Sequence, residues 1–264
     1  MAGIAELVSI HAQDRPGAVA VKVVRGDQVT YGGLDRRSNR LARALVDLGV
    51  APGDGVAIIC CDAHAPDLLV GHLAAGKAGA ITTVLPLEDA ATAGAGASVV
   101  LACAEGVGAC RAAGVRATIV GDATGVAWWK ALELRQSAAP FLRLATADAA
   151  DAIEVSALPV SLENRGLLHA VPLSTPLGLH AVALAALAAG VPQILQTPFD
   201  ADTFSRLLGA APTACLLPHQ VDRLPAGSHW VTTPPGLCWR HPVTVDVDAE
   251  GGFGVGLAAA ALTA

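Results

Sequence analysis

Aromatic side chains are scarce in this chain. Four Phe, four Trp and one Tyr amount to 3% of its 264 residues, and there is a single Met. The core must therefore be assembled from Ala, Val, Leu and Ile. Charge is also sparse: 17 Lys+Arg stand against 23 Asp+Glu, a formal net charge of −6. No basic run and no basic patch interleaved with aromatics occurs, which argues against nucleic-acid binding. The longest internal apolar run, His180 to Val191, is too short to span a bilayer. The opening MAGIAELVSIHAQDRPG has no charged region followed by an apolar core, so no secretory signal is expected. A cytoplasmic protein without a membrane partner is the expectation.

Several catalytic signatures are missing too. A Ser-His-Asp hydrolase needs a G-x-S-x-G elbow, and none is present. The eight histidines form neither HExxH nor a paired spacing for zinc. With no base–nucleophile pairing in view, structural histidines are the expectation, His169 and His180 included. No C-x-x-C pair occurs among the six cysteines. The run Cys60-Cys61-Asp62-Ala63-His64 invites a metal reading, but neighbouring residues on a strand point to opposite faces, so the two adjacent thiols do not easily share an ion. Gly106-Val107-Gly108, with Asp122 after the next strand, is a partial dinucleotide fingerprint. Arg111 occupies the position of its third glycine, which leaves a glycine-rich turn. No catalytic residue, metal or cofactor is assigned from these patterns.

What is abundant is small and apolar. Hydrophobic residues make up 53%, and 28 Gly and 16 Pro interrupt the chain often. Leu34, Leu41, Ala42, Leu45 and Leu48 recur at helical spacing, with Arg36, Arg37, Asn39, Arg40 and Asp47 opposite. Gly49 closes that helix, and Pro52-Gly53-Asp54-Gly55 turns the chain into the apolar run Val56–Cys61, which reads as a strand buried on both faces. A helix from about Ala65 to Gly79 and a strand from Ala80 to Leu85 complete a parallel βαβ unit. Before it, Ala20–Val24 and Gln28–Tyr31 flank a hairpin turn at Arg25-Gly26-Asp27. After it, strands at Ala97–Cys103 and Ala117–Val120 enclose a helix at Glu105–Gly114. Trp128-Trp129 reads as a surface connection or an interface, since adjacent tryptophans do not easily face one core. The fold class expected is layered α/β, with mostly parallel sheets flanked by helices.

The stretch around this unit resembles the N-terminal signature of the adenylate-forming superfamily, which holds acyl-CoA synthetases, peptide-synthetase adenylation domains and luciferases. Thr30, Tyr31 and Leu34 match its helix start. Gly49, Pro52, Gly53, Asp54 and Val56 match its turn into a strand. Gly76, Ala78, Gly79, Ala80, Pro86 and Leu87 match its second strand. The likeness runs from about Ala5 to Leu224. These are turn formers and packing positions, so they speak for the fold. The resemblance implies three parts: a first α/β lobe over 1–150, a second over 151–224 holding a phosphate loop, and a short β remnant with an Ala-Leu tail over 225–264. Together they would make one compact domain.

The superfamily's phosphate loop should lie in Asp151–His169. Such a loop uses glycine N–H groups, hydroxyls and a lysine to hold phosphates. Here Ser156 remains as a loop serine, Leu158 and Pro159 replace hydroxyl residues, and no glycine precedes Gly166. Arg165-Gly166 echoes the lysine-glycine pair. Thr175 stands where the family usually has histidine, within Val171–Leu179. The ligand-binding residues implied are Ser156, Arg165 and Thr175. The resemblance implies a truncated relative unable to adenylate, a pseudoenzyme kept as a binding or protein-interaction module. Its partners would be an acyl or aryl small molecule, a carrier protein or a full-length synthetase. A homo-dimer or hetero-oligomer would cover its apolar surface. The alternatives are an enzyme reusing the acyl pocket for another reaction, or a ligase completed by a partner chain.

Overall fold

The computed structural model describes residues 3–121, 127–143, 166–208, 213–225, 230–233, 236–240, 246–247 and 253–254. Helix α1 (Ile4–Asp14) buries Ile4, Ala5, Val8 and Ala12, one stripe at helical spacing. A hairpin follows, β1 (Val19–Val23) and β2 (Gln28–Thr30), turning through Arg25 at a φ of 60°. Helix α2 (Tyr31–Asp47) starts where Thr30 caps it, its hydroxyl accepting from the Gly33 N–H at 3.0 Å. The helix ends at Gly49, whose φ of 93° suits glycine alone.

The next strand, β3 (Gly55–Ile59), is buried from Val56 onward, as its apolar run requires. A 3₁₀ turn at Asp62–His64 leads into α3 (Ala65–Lys77), then β4 (Ile81–Leu85). Further along come β5 (Ala97–Ala102), α4 (Ala104–Ala112) and β6 (Thr118–Val120). These four strands form an all-parallel sheet in the order β4-β3-β5-β6. Being at an edge, β4 is half-exposed, and Ile81 faces solvent. Helix α5 (Ala127–Leu134) packs on α2. Trp129 is wholly buried there, donating its Nε1–H to the Val120 carbonyl at 2.8 Å. The helix turns its second tryptophan into the core, so Trp129 is no part of an exposed surface. The Trp128 side chain and the Gly256–Ala264 tail lie outside the described residues.

The second sheet has seven strands. Its central members are β7 (Leu167–His169), β8 (Gln193–Leu195) and β9 (Thr213–Leu216), all parallel. Strands β10 (Val231–Thr233) and β11 (Leu237–Arg240) extend it antiparallel beyond β9. At the other end β1 pairs parallel with β8, so the N-terminal hairpin belongs to this sheet. Between β7 and β8 runs a π-helix at Leu177–Leu184 that continues as α6 (Ala185–Ala188). Helices α7 (Ala201–Leu208) and α8 (Pro218–Val221) flank β9. A separate two-stranded ribbon joins β12 (Asp246–Val247) to β13 (Phe253–Gly254).

Strand alternation sets the layers. In β7, Leu167 packs with Val182 and Ala186 of the π-helix and α6, whereas Leu168 packs with Phe204 and Leu208 of α7. In β3, Ile58 joins the central core with α2 and α3, whereas Ile59 packs under α4 with Val107 and Cys110. One cluster therefore fills the space between the sheets, drawn from α1, α2, α3, α6 and both sheets' inner faces. Helix α3 lies inside it, buried nearly all round as its composition predicts, and carries Asp67, His72 and Lys77 in with it.

The charges on α3 are matched, as burial demands. Arg37 of α2 donates to Asp67 at 2.5 Å, and to Glu133 of α5 at 2.8 and 2.9 Å. Lys77 donates to Asp35 and to the Asn39 side-chain oxygen, both at 2.8 Å. Burial pushes the Lys77 ammonium down, opposed by its bond to Asp35. Burial pushes the Asp35 carboxyl up, but donors from Lys77 and Ser9 outweigh it and hold that carboxyl below its usual range.

Candidate functional site

In open α/β sheets ligands bind outside the carboxyl ends of the strands, where the strand order reverses direction. Both sheets have such a point. From β3 the chain moves to β4 on one side, then crosses to β5 on the other. From β7 it moves to β8 on one side and then to β9 on the other. The two crevices are joined by a single carboxylate. Asp62, just past β3, accepts from the Leu173 N–H at 2.9 Å and the Ser174 N–H at 3.2 Å, in the segment that leaves β7. Burial pushes its carboxyl up, and those two backbone donors oppose the shift.

Thr175 lies in that same segment. Its hydroxyl donates to the Pro172 carbonyl at 2.7 Å and accepts from the Gly178 N–H at 3.1 Å. Both of its roles are thus used in launching the π-helix. Gly178 is required at the close approach, since a Cβ there would overlap the Pro172 carbonyl oxygen. The sequence places Ser156 and Arg165 near Thr175, but both lie outside the described residues.

His169 ends β7, wholly buried. Neither ring nitrogen meets a hydrogen-bond partner at good geometry among the described residues, and the Val171 backbone and Gln193 side chain lie beside it. Burial pushes it down to about 4, so the ring is neutral at pH 7. His180 instead meets His72 edge-on, with ring centroids 6.0 Å apart.

At the β3–β5 crevice the structure assembles something the sequence hid. The register pairs Ile59 with Ala102, and the Cys103 N–H donates to the Ile59 carbonyl at 3.1 Å. One step on, Cys60 and Cys61 come up against Cys103, and all three thiols interact. Donors from Cys60 and Cys61, with the Gly106 backbone, hold the Cys103 thiol well below its ordinary range, and the same contact pushes Cys61 up. Gly106 permits this, because a Cβ there would overlap the Ile59 carbonyl oxygen. Gly108 has open space around the equivalent position. Gly106 alone thus lets α4 approach β3, and both glycines lie within α4 rather than in a turn before it. The signal available in the sequence was that two apolar strands, Val56–Cys61 and Ala97–Cys103, both end in cysteine.

Known proteins share the fold around this cluster. Residues 8–132 match the family described as AMP-binding enzyme. That match takes in 125 of the chain's 264 residues, from α1 into α5. Novobiocin biosynthesis protein H of Streptomyces niveus is 38% identical to it over 87 residues, 33% of this chain and 14% of that protein. A medium/long-chain fatty-acid–CoA ligase of Mycolicibacterium smegmatis is 40% identical over 79 residues, 30% of this chain and 14% of the ligase. Among solved structures, the N-terminal domain of FACL13 from Mycobacterium tuberculosis superposes with a TM-score of 0.65 at 20% identity, covering 79% of this chain and 60% of that one. Apo MatB from Rhodopseudomonas palustris gives 0.61 at 25% identity, covering 83% and 50%. The chain spans about half the length of MatB, and its matches cover small parts of the curated relatives. The superpositions establish the α/β fold of an adenylate-forming N-terminal domain. Among the described residues, no helix is long and apolar enough to cross a membrane.

Proposed function

We propose that this chain keeps the adenylate-forming fold to bind an acyl or aryl group or a carrier protein, and does not itself form acyl-adenylates. One observation carries the reading: the Asp151–His169 segment, where the family's phosphate loop belongs, has no glycine before Gly166 and contains Pro159. Adenylation brings a carboxylate in line with the α-phosphate of ATP, and backbone donors stabilise the charge that develops. A proline has no N–H to give, and side chains in place of glycine block the close backbone approach that a phosphate needs. Losing one such donor costs about 100- to 1,000-fold in rate, so losing the set leaves no measurable turnover. Thr175 adds support, since its hydroxyl is already bonded on both sides. The carrier-protein arm rests on the relatives, which include a tripeptide synthetase and a ligase named for acyl-carrier-protein.

The test is ATP–pyrophosphate exchange with a broad panel of carboxylic acids, run beside calorimetric titration with acyl-CoAs, ATP and AMP. Acyl-group binding with no exchange is the expected outcome. ATP-dependent exchange by the purified chain alone, lost in Ser156→Ala or Arg165→Ala, would overturn the proposal and restore the loop to a catalytic role.

A further inference from the structure

We propose that Cys61, Cys103 and Glu105 form a binding site for a thiophilic divalent cation of the zinc class. Their donor atoms, two sulfurs and a carboxylate oxygen, all lie within 4.8 Å of one another. Two sulfurs bound to one zinc at about 2.3 Å are themselves under about 4.6 Å apart, so side-chain rotation alone brings the set into range. Cys61 lies two residues past the end of β3, Cys103 directly past the end of β5, and Glu105 in the first turn of α4, so adjoining elements fix their relative positions. Cys103 is the rigid member: its N–H is tied to the Ile59 carbonyl at 3.1 Å and its carbonyl accepts from the Val107 N–H at 2.8 Å. Exposure grades outward, from buried Cys103 through half-buried Cys61 to exposed Glu105. A cation can therefore enter from solvent, and a water can fill the fourth position, the arrangement of open three-ligand zinc sites.

The donor set selects the ion. Two thiolates and one carboxylate exceed the charge of a divalent ion by one, and sulfur favours zinc-like cations over magnesium or calcium. Cys60 lies behind the set, its thiol against Cys103, and can hold that sulfur in place. Cys60 is not needed as a ligand, so the two adjacent thiols do not have to share the ion. The structure supplies Cys103 across the sheet instead. Both cysteines bind as thiolates: any proton on either sulfur passes to solvent, two metal–sulfur bonds and one metal–oxygen bond form, and no oxidation state changes.

Cobalt(II) reports the site directly, because thiolate ligation gives an intense sulfur-to-cobalt absorption. The full chain, reduced with a phosphine until all six thiols are counted, is titrated with cobalt and then zinc. One cobalt per chain with that absorption, displaced by one equivalent of zinc, is expected. Cys61→Ser and Cys103→Ser should each abolish it. Glu105→Gln should weaken binding by about 10-fold or more, since even outer partners of a metal site are worth that much. Cys238→Ser, distant on β11, should leave the titration unchanged. Circular dichroism checks each variant's fold. Should Cys103→Ser fail to fold, half-buried Cys61 carries the comparison. No absorption at stoichiometric cobalt, or the same absorption in Cys61→Ser, overturns the proposal.

Discussion

Replacing Arg37 with leucine isolates the buried ion network that joins three helices. The guanidinium is 20% exposed, but its partners Asp67 and Glu133 are only 3% and 5% exposed. Removing it leaves two carboxylates without a cation, in a site they cannot leave. Breaking one buried pair by deleting a partner costs about 3–5 kcal/mol. Two stranded carboxylates fall within that range, through desolvation and their mutual repulsion. At roughly 4 kcal/mol, and about 2–4 °C per kcal/mol for a chain of this size, the melting temperature should fall by about 8–16 °C.

The pH dependence gives the prediction its edge. With Arg37 gone, a proton taken up by either carboxylate removes a buried charge that has no partner. The folded protein then binds more protons than the unfolded chain at mildly acidic pH, and stability recovers as pH falls. Arg37→Leu should therefore cost less at pH 5 than at pH 8, and Arg37→Leu combined with Asp67→Asn and Glu133→Gln should regain most of the loss. Arg37→Lys should recover little, since one ammonium cannot reproduce three bonds from a planar fork. Urea unfolding followed by the fluorescence of the four tryptophans measures all three variants at both pH values. A cost under about 1 kcal/mol at pH 8, the scale of exposed pairs, or a cost independent of pH, would refute the reasoning.

Three further outcomes follow from the same geometry. Asp35→Ala strands the buried Lys77 ammonium and should cost about 2–4 kcal/mol, whereas Lys77→Met, which removes the charge itself, should stay within about 1 kcal/mol in urea unfolding. The folded His169 lies near 4 against an ordinary 6.5, so the unfolded chain takes up its proton first. Stability should fall by roughly 3 kcal/mol as pH drops from 6.5 to 4, at about 1.4 kcal/mol per pH unit, and His169→Gln should flatten that limb of the stability–pH curve. Asp62→Ala leaves the Leu173 and Ser174 N–H groups without their acceptor and should cost about 2–4 kcal/mol, with Asp62→Asn costing less because its oxygen still accepts. Hydrogen exchange at those two amides, faster in Asp62→Ala than in Asp62→Asn, checks that the loss is local.

The elements were legible where periodicity is strong and local. Thr30 capping α2, the apolar run of β3 and the glycine stop at Gly49 all follow from chemistry within a few residues. What was not legible is pairing at a distance. Nothing local says that β1 and β2 join the sheet of β7 and β8, because a hairpin signal fixes its own turn and not its neighbour. Trp129 went inside for a related reason: α5 is short, and its inner face is set by α2 across Arg37 and Glu133. The cysteine cluster needed the register of β3 against β5, which is a property of the sheet. Of the expected ligand residues, only Thr175 has a described place, and its neighbours there are backbone groups that helix-cap patterning does not identify from sequence.

The short segment after β3 serves both crevices at once. Cys60 turns inward to Cys103, Cys61 reaches Cys103 beside Glu105, and Asp62 crosses to the segment that leaves β7. Cys60 and Cys61 thus converge on one sulfur, while Asp62 turns to the other sheet. The thiol cluster and the junction between the sheets therefore share one stretch of backbone. If cation binding at Cys61 shifts that stretch at all, the free energy it exchanges with the Asp62 contacts is equal in both directions. A ligand that orders the segment carrying Thr175 would then tighten the cation site by the same factor that the cation tightens the ligand. The interior on either side is close-packed, from Ile58 and Ile59 to Val107, so the backbone has little room to absorb the shift silently.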